Sequence, residues 1–322
     1  MVRSVRGFLN YCRSPRGRLV INLSSGVLAL GVAVLAARHF TETGWPLAHA
    51  DITLLVAASG FFLLSYAFKA YGWHRLFAPA NRPRALTLAA AGGAATVGGA
   101  ALPGRFDDVL RVAVVRRYSG CDSGVPTVCF SLFMLGLIDA AALMPLASSA
   151  AATSDSSVGV RAAMGVVALA GMAAAVLVVT LPRLAANGRL IRFRIARWVS
   201  ERVISPREAW KAWVLVLSSW LARAVGLFFL LAALGVSLSF PLAIAFLVAA
   251  AASAALPIAP AGAATQAGAG AAILIASGVG TSQAVSFAIA AQAVLILVGA
   301  VVIVFAAVWG GGQMLRVARA SS

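Results

Sequence analysis

Acidic residues are scarce in this chain, which has 9 Asp and Glu against 26 Lys and Arg in 322 residues. Charged residues of both signs make up only 11%, and hydrophobic residues make up 61%. Because about a quarter of the residues in a soluble domain are charged, this composition excludes an ordinary soluble domain and indicates a membrane protein. The Lys and Arg residues lie at the ends of apolar stretches, as the positive-inside rule expects. We therefore predict no nucleic-acid partner, in spite of the net charge of +17.

Cysteine and histidine are equally scarce, with three of each in the whole chain. Their positions form neither a disulfide framework nor the spacing of metal ligands. The sequence therefore predicts no metal site and no cofactor. It also offers no His or Cys constellation that could carry catalysis, so we expect a protein that is not an enzyme.

Long apolar runs predict an all-α polytopic membrane protein with about six full transmembrane helices. The residues 1–322 are predicted to form a single membrane domain. Two further apolar segments are broken by Pro and Gly at 102–104 and 256–262, and we predict that each forms a re-entrant hairpin. The six spans are predicted at 19–37, 51–73, 125–147, 161–181, 213–234 and 283–308.

The two halves of the chain have the same order of span, span, broken hairpin and span. They cover residues 1–148 and 158–310, point in opposite directions across the membrane, and have their breaks roughly 150 residues apart. An inverted repeat with paired breaks is typical of transporters that bind their cargo at the repeat interface. The alternative explanation for the two breaks is that any polytopic protein contains Pro and Gly between its apolar segments, without an internal repeat.

A basic segment at 183–211 belongs to the second half and alternates Arg with apolar and aromatic residues. We predict an amphipathic helix that lies on the inner leaflet and binds its anionic lipids. The distribution of Lys and Arg places this segment and both termini in the cytoplasm. The expected location is the cytoplasmic membrane, and the sequence leaves open whether the protein is a homo-oligomer.

The first break is followed by a cluster of charges. The helix is interrupted at 102–104 because proline has no backbone N–H to donate and the following glycine lets the chain turn. Asp107 and Asp108 then fall in the first turn of the resumed helix, where the helix dipole favours anions. The spacing pairs both carboxylates with Arg111, at i,i+4 and i,i+3.

If the cargo is a lipid that carries a phosphate, its headgroup is predicted to bind at this first break. Gly104 lets the backbone approach closely, the resumed helix presents free N–H groups, and Arg105 and Arg111 supply positive charge. The helix after the second break would present its N–H groups in the same way, which adds Pro260, Gly262 and Gln266 to the candidate residues.

Two charged residues lie within the predicted spans. Asp139 and Arg223 would each cost roughly 2.5–3.5 kcal/mol at the centre of a membrane helix, so both should face protein or water. We expect the two to pair with each other. The pair is either structural or part of the lining of a translocation path, and the sequence leaves both readings open.

The two breaks carry a resemblance to a known family. Residues 102–117 have the sequence LPGRFDDVLRVAVVRR, which is similar to the PGR-x-G-[DE]-x-x-R pattern of the membrane domain of lysylphosphatidylglycerol synthases and their stand-alone relatives. Residues 256–289, which begin LPIAPAGAATQAG, resemble the second signature of that family, a P-x-x-PGG-x-G-x-x-E run followed by a Gly-Val turn. Arg105, Asp108 and Arg111 match the first pattern, whereas Gln266 stands where the family usually has Glu.

The resemblance implies a flippase-like membrane domain without the soluble aminoacyl-transferase domain. We therefore expect a protein that moves an anionic or zwitterionic lipid between the leaflets. One alternative is a membrane-embedded enzyme acting on a lipid phosphate, although the acids lack a base or metal partner. The other is a non-transporting partner or regulator of an enzyme that makes envelope lipids or glycans, which the glutamine at 266 favours.

Overall fold

The computed structural model describes residues 45–101, 106–118, 124–153, 158–185, 198, 202, 204–236, 238–254 and 262–320. Within these ranges the chain has nine α-helices, one short 3-10 helix and no strand. The helices are α1 (Ile52–His74), α2 (Ala85–Ala101), α3 (Phe106–Tyr118), α4 (Val125–Thr153), α5 (Val158–Ala185), α6 (Pro206–Ala233), α7 (Phe240–Ala254), α8 (Gly262–Ala276) and α9 (Thr281–Ala320).

Five of these helices, α1, α4, α5, α6 and α9, are long and apolar enough to cross a membrane. This confirms the prediction of an all-α polytopic membrane protein. The remaining predicted span, at 19–37, lies outside the described residues. The predicted bounds and the observed ones agree closely for α1, whereas α4 continues past the predicted end at residue 147 in spite of Pro145.

The other four helices form two packed pairs. With 17, 13, 15 and 15 residues, α2, α3, α7 and α8 are shorter than the roughly 20 residues that a full span needs. The helix α2 packs against α3, and α7 packs against α8, as expected of two hairpins. The breaks that separate the members of each pair lie outside the described residues.

The predicted surface helix at 183–211 is wrong at both of its ends. The helix α5 continues to Ala185, and α6 begins at Pro206. A new helix starts there because the Ser205 hydroxyl accepts a hydrogen bond from the Glu208 amide and because proline is favoured in the first turn. Most of the segment between them lies outside the described residues.

The helices α1 and α6 run antiparallel at the centre of the bundle. The backbone N–H of Asp51 donates to the Ala233 carbonyl over 3.1 Å at one end of the pair. In the middle, the buried Ser219 hydroxyl donates to the Ser65 carbonyl over 2.9 Å. The backbones approach closely at Gly226, where an added Cβ would lie 2.8 Å from the Phe62 ring. Small residues at such crossings are how membrane helices obtain tight packing.

The helix contacts occur in matching pairs. The helix α1 packs on α2 as α6 packs on α7, and α3 packs on α4 as α8 packs on α9. Across the halves, α2 contacts α9 and α7 contacts α4, while α1 contacts α9 and α6 contacts α4. Two inverted repeats at 1–148 and 158–310 would produce this pattern. The repeat itself stays a prediction.

The α2–α9 crossing gives a first test of the packing. A Cβ added to Gly93 would lie 2.6 Å from the carbonyl oxygen of Gly299, a backbone atom that cannot rotate away. We expect Gly93→Val to lower the free energy of unfolding by about 1–3 kcal/mol, as overpacking does. The matched control is Gly60→Val, because no heavy atom lies within 4 Å of a Cβ at Gly60. Thermal unfolding in detergent compares the two, and an equal loss in both variants would contradict the crossing.

Candidate functional site

The centre of the bundle contains an ion pair that links α1 to α4. The Lys69 ammonium lies 2.8 Å from one carboxylate oxygen of Asp139. The indole N–H of Trp220, on α6, donates to the other oxygen over 3.1 Å. Three helices therefore meet at Asp139, and both of its oxygens have a partner. The two charged side chains are only 25% and 21% exposed.

The predicted pairing of Asp139 with Arg223 is wrong. The Arg223 Nε donates instead to the Ser65 hydroxyl over 3.3 Å. Lys69, five residues before the end of α1 at His74, contacts Asp139 instead. The flexible stem of a lysine lets the ammonium reach across to α4.

Arg223 nevertheless lies in the same cluster. Its guanidinium is 5.3 Å from the ring centroid of Trp220 and 5.9 Å from that of Tyr66. Lys69 also lies over the Trp220 ring, at 5.1 Å. A cation over an aromatic face is stabilised without being neutralised. Lys69, Asp139, Trp220 and Arg223 are called the central cluster below.

The central cluster has two cations and one carboxylate. Because Lys69 and Asp139 neutralise each other, the positive charge of Arg223 remains. Among the described residues, Arg223 contacts a hydroxyl and two aromatic rings but no carboxylate. Its half-buried guanidinium is therefore the group in this region with the capacity to bind an anion.

The charges of α3 lie near this cluster. Arg111 contacts Asp108 at 2.7 Å and Asp107 at 3.6 Å, which confirms both pairs predicted from their spacing. The helix α3, which carries Arg111, packs against α4, which carries Asp139. Asp139 and Arg223 belong to the central cluster, and Arg111 lies on a helix that packs beside it.

The described contacts bring neither Gly262 nor Gln266 to this region. Gly104, Arg105 and Pro260 lie outside the described residues. Gly262 begins α8, and Gln266 is partly buried on the same helix. The helix α8 packs on α7 and α9, and no described contact joins Gln266 to the central cluster.

Sequence reasoning missed Lys69 and the aromatic residues around it. Ser65 and Lys69 are four residues apart on α1, and Trp220 and Arg223 are three apart on α6, so each pair shares a helix face. Tyr66, beside them, donates its hydroxyl to Thr96 on α2 over 2.7 Å. This spacing indicates a polar and aromatic face on each of the two apolar helices. It does not predict which helices pack against each other.

The described side chains suit an anion better than a metal ion. No group of three or more His, Cys, Asp or Glu residues in the part of the chain that the structure describes could hold a metal. Arginine, in contrast, has five N–H donors in a planar fork that matches a phosphate. Arg223 and Arg111 both carry this planar fork of donors.

The comparison with protein families matches nearly the whole chain. A family model described as the lysylphosphatidylglycerol synthase TM region matches residues 20–306. The match covers α1 to α8, the first part of α9 and the central cluster. None of the curated proteins compared with the chain matches it significantly.

Proposed function

Because the chain belongs to the lysylphosphatidylglycerol synthase transmembrane region family, we propose that it moves an anionic or zwitterionic phospholipid between the leaflets of the cytoplasmic membrane. The family and the five candidate spans make it a multi-pass membrane protein with a function related to membrane lipids. The step to lipid transport rests on the charges inside the bundle.

The observation that carries the proposal is the excess charge of Arg223. A cation within a membrane helix costs roughly 2.5–3.5 kcal/mol, and a purely structural arginine would recover that cost through a carboxylate. Among the described residues, the partners of Arg223 are a hydroxyl and two aromatic faces instead. A lipid phosphate would supply the missing negative charge and could accept two parallel hydrogen bonds from the guanidinium.

Arg111 would act beside Arg223 as a second cation with different properties. Its guanidinium is held by Asp107 and Asp108, so a phosphate has to compete for it. A phosphate that must displace these carboxylates binds more weakly and is released more easily. Arg223 would bind the headgroup, and the weaker contact with Arg111 would allow its release. A transporter needs both steps.

Two inverted repeats would produce the contact pattern of the helices. In transporters with inverted repeats, the cargo site lies at the repeat interface and opens alternately to each side. The α1–α6 pair, which would lie on the axis between the halves, carries Lys69, Trp220 and Arg223. The basic loops would face the cytoplasm by the positive-inside rule.

Transport is favoured over catalysis because the described carboxylates near the central cluster already have partners. Both oxygens of Asp139 are engaged, and Asp107 and Asp108 are paired with Arg111. A general base needs a free carboxylate within hydrogen-bond reach of a substrate proton. We therefore propose a protein without an enzymatic activity of its own.

The second candidate function is that of a non-transporting regulator of an envelope-synthesis enzyme. The glutamine at position 266 favours it, because a neutral amide replaces the carboxylate that resembling proteins usually have there. A protein of this kind would keep the fold and the lipid contacts but would not move lipid.

The test is transbilayer movement of a fluorescent phosphatidylglycerol in vesicles that contain the purified protein. We expect the wild type to move the lipid and Arg223→Gln to be at least about tenfold slower, because a charge-assisted hydrogen bond is worth about 1.5–3 kcal/mol and each 1.4 kcal/mol is tenfold. Arg223→Lys should recover only part of the rate, since an ammonium cannot make the bidentate contact.

The matched control is Arg116→Gln, which removes an exposed cation from α3. A rate that falls equally in both variants would mean that overall charge matters and not this site. An inactive wild type, in vesicles where a known scramblase works, would favour the regulator instead.

A further inference from the structure

A second group of cations lies where α1 ends and α6 begins. Glu208 accepts three contacts there, from Arg82 at 2.7 Å, from Lys211 at 2.9 Å and from Arg75 at 3.4 Å. The loop after α1 is thereby tied to the first turn of α6. These four residues are called the end cluster below.

The four described residues of the end cluster are three cations and one carboxylate, with a formal charge of +2. Arg82 is the inner member, at 17% exposure, and has the shortest contact with Glu208. Arg75 and Lys211 are 37% and 39% exposed. Among the described residues, the Arg75 guanidinium makes a single long contact, so most of its five donors remain available.

These two outer cations line a cavity of about 310 Å³. Its other walls are Trp210, Val214 and Leu215, all on α6. The Trp210 ring stacks on Trp213 with 4.9 Å between the centroids, and Trp210 is mostly exposed. Tryptophan at the end of a span is typical of the interface between lipid headgroups and acyl chains. The cavity is thus lined by two cations, an exposed tryptophan and two aliphatic side chains, which are the apolar floor named below.

We propose that this cavity binds the phosphate of one anionic glycerophospholipid from the adjoining leaflet. Arg75 and Lys211 would hold the phosphate, Trp210 would lie beside the glycerol, and Val214 and Leu215 would contact the first part of an acyl chain. A free phosphate ion would use the two cations but not the apolar floor. The bound lipid would neutralise the excess charge and strengthen the link between the loop and α6.

This lipid site is separate from the central cluster and does not depend on transport. Arg75 follows Lys69 by six residues, about 9 Å along a helix, and lies beyond the last helical residue of α1. A lipid held here would stay with the protein, whereas the cargo near Arg223 would pass through. Binding at the end cluster should therefore survive Arg223→Gln.

The experiment measures binding of dioctanoyl phosphatidylglycerol to the full chain in a neutral detergent by native mass spectrometry. We expect the double variant Arg75→Gln/Lys211→Gln to bind the first lipid more weakly, with a dissociation constant at least about tenfold higher. The matched control is Arg207→Gln, an exposed cation in the same turn of α6 that does not line the cavity. It should change the constant less than about twofold.

A second variant keeps all three cations. Val214→Glu would place a carboxylate in the cavity and should weaken lipid binding as strongly as the double variant does, by charge repulsion. Equal binding of phosphatidylcholine, or equal losses in the Arg207 control, would overturn the site. Inorganic phosphate that displaces the lipid, or that raises the unfolding temperature as much as the lipid does, would overturn the lipid as its ligand.

Discussion

Asp139→Ala should lower the free energy of unfolding by roughly 3 kcal/mol, more than any other single change to the charges described above. The substitution leaves Lys69 without its carboxylate between helices α1, α4 and α6. It also leaves the indole N–H of Trp220 without an acceptor. Two cations, Lys69 and Arg223, would then repel each other across one tryptophan ring.

The loss is expected to come from the unpaired charge and not from the missing contact. Lys69→Met/Asp139→Leu removes both charges and should recover most of the stability, because an apolar pair can replace a buried ion pair at little cost. Asp108→Ala serves as the control, since that pair is more exposed and should be worth less than about 1 kcal/mol. Unfolding in mixed micelles would measure all three, and a double variant as unstable as Asp139→Ala would contradict this account.

The fold could be predicted because it depends on properties that are local in the sequence. A run of about 20 apolar residues must span as a helix, since no water is present to satisfy the backbone. The described helices end and begin on either side of the predicted breaks, α2 at Ala101 with α3 at Phe106, and α7 at Ala254 with α8 at Gly262. The one clear error, at 183–211, came from extending a charge pattern across Ser205, whose side chain starts a new helix.

The site was predictable only where one helix supplies the partners. Arg111 with Asp107 and Asp108 follows from spacing along α3. The pairing of Asp139 depends on which side chains of α1 and α6 reach α4. Contacts between different helices cannot be read from spacing along the sequence. Lys69 lies within the span predicted at 51–73, and its long stem allows the ammonium to reach Asp139 inside the bundle.

The acids of α3 should control how tightly a lipid phosphate is held. In Asp107→Asn/Asp108→Asn, Arg111 loses both of its carboxylate partners and becomes available to an anion. We expect the affinity for short-chain phosphatidylglycerol to rise about tenfold, since each competing charge-assisted contact is worth roughly that factor. Lipid movement in vesicles should become slower, because a cargo that is held more tightly leaves more slowly.

The complementary change, Arg111→Ala, should slow lipid movement more than it lowers thermal stability. Its pairs are partly exposed and contribute little to folding, whereas its guanidinium is one of the two cations offered to the phosphate. Arg111→Lys should restore only part of the rate, and Arg116→Ala on the exposed side of the same helix should leave it unchanged. Weaker lipid binding in the double asparagine variant would show that the acids orient Arg111 for its cargo. The competition between acid and phosphate, and with it the release step assigned to α3, would then be wrong.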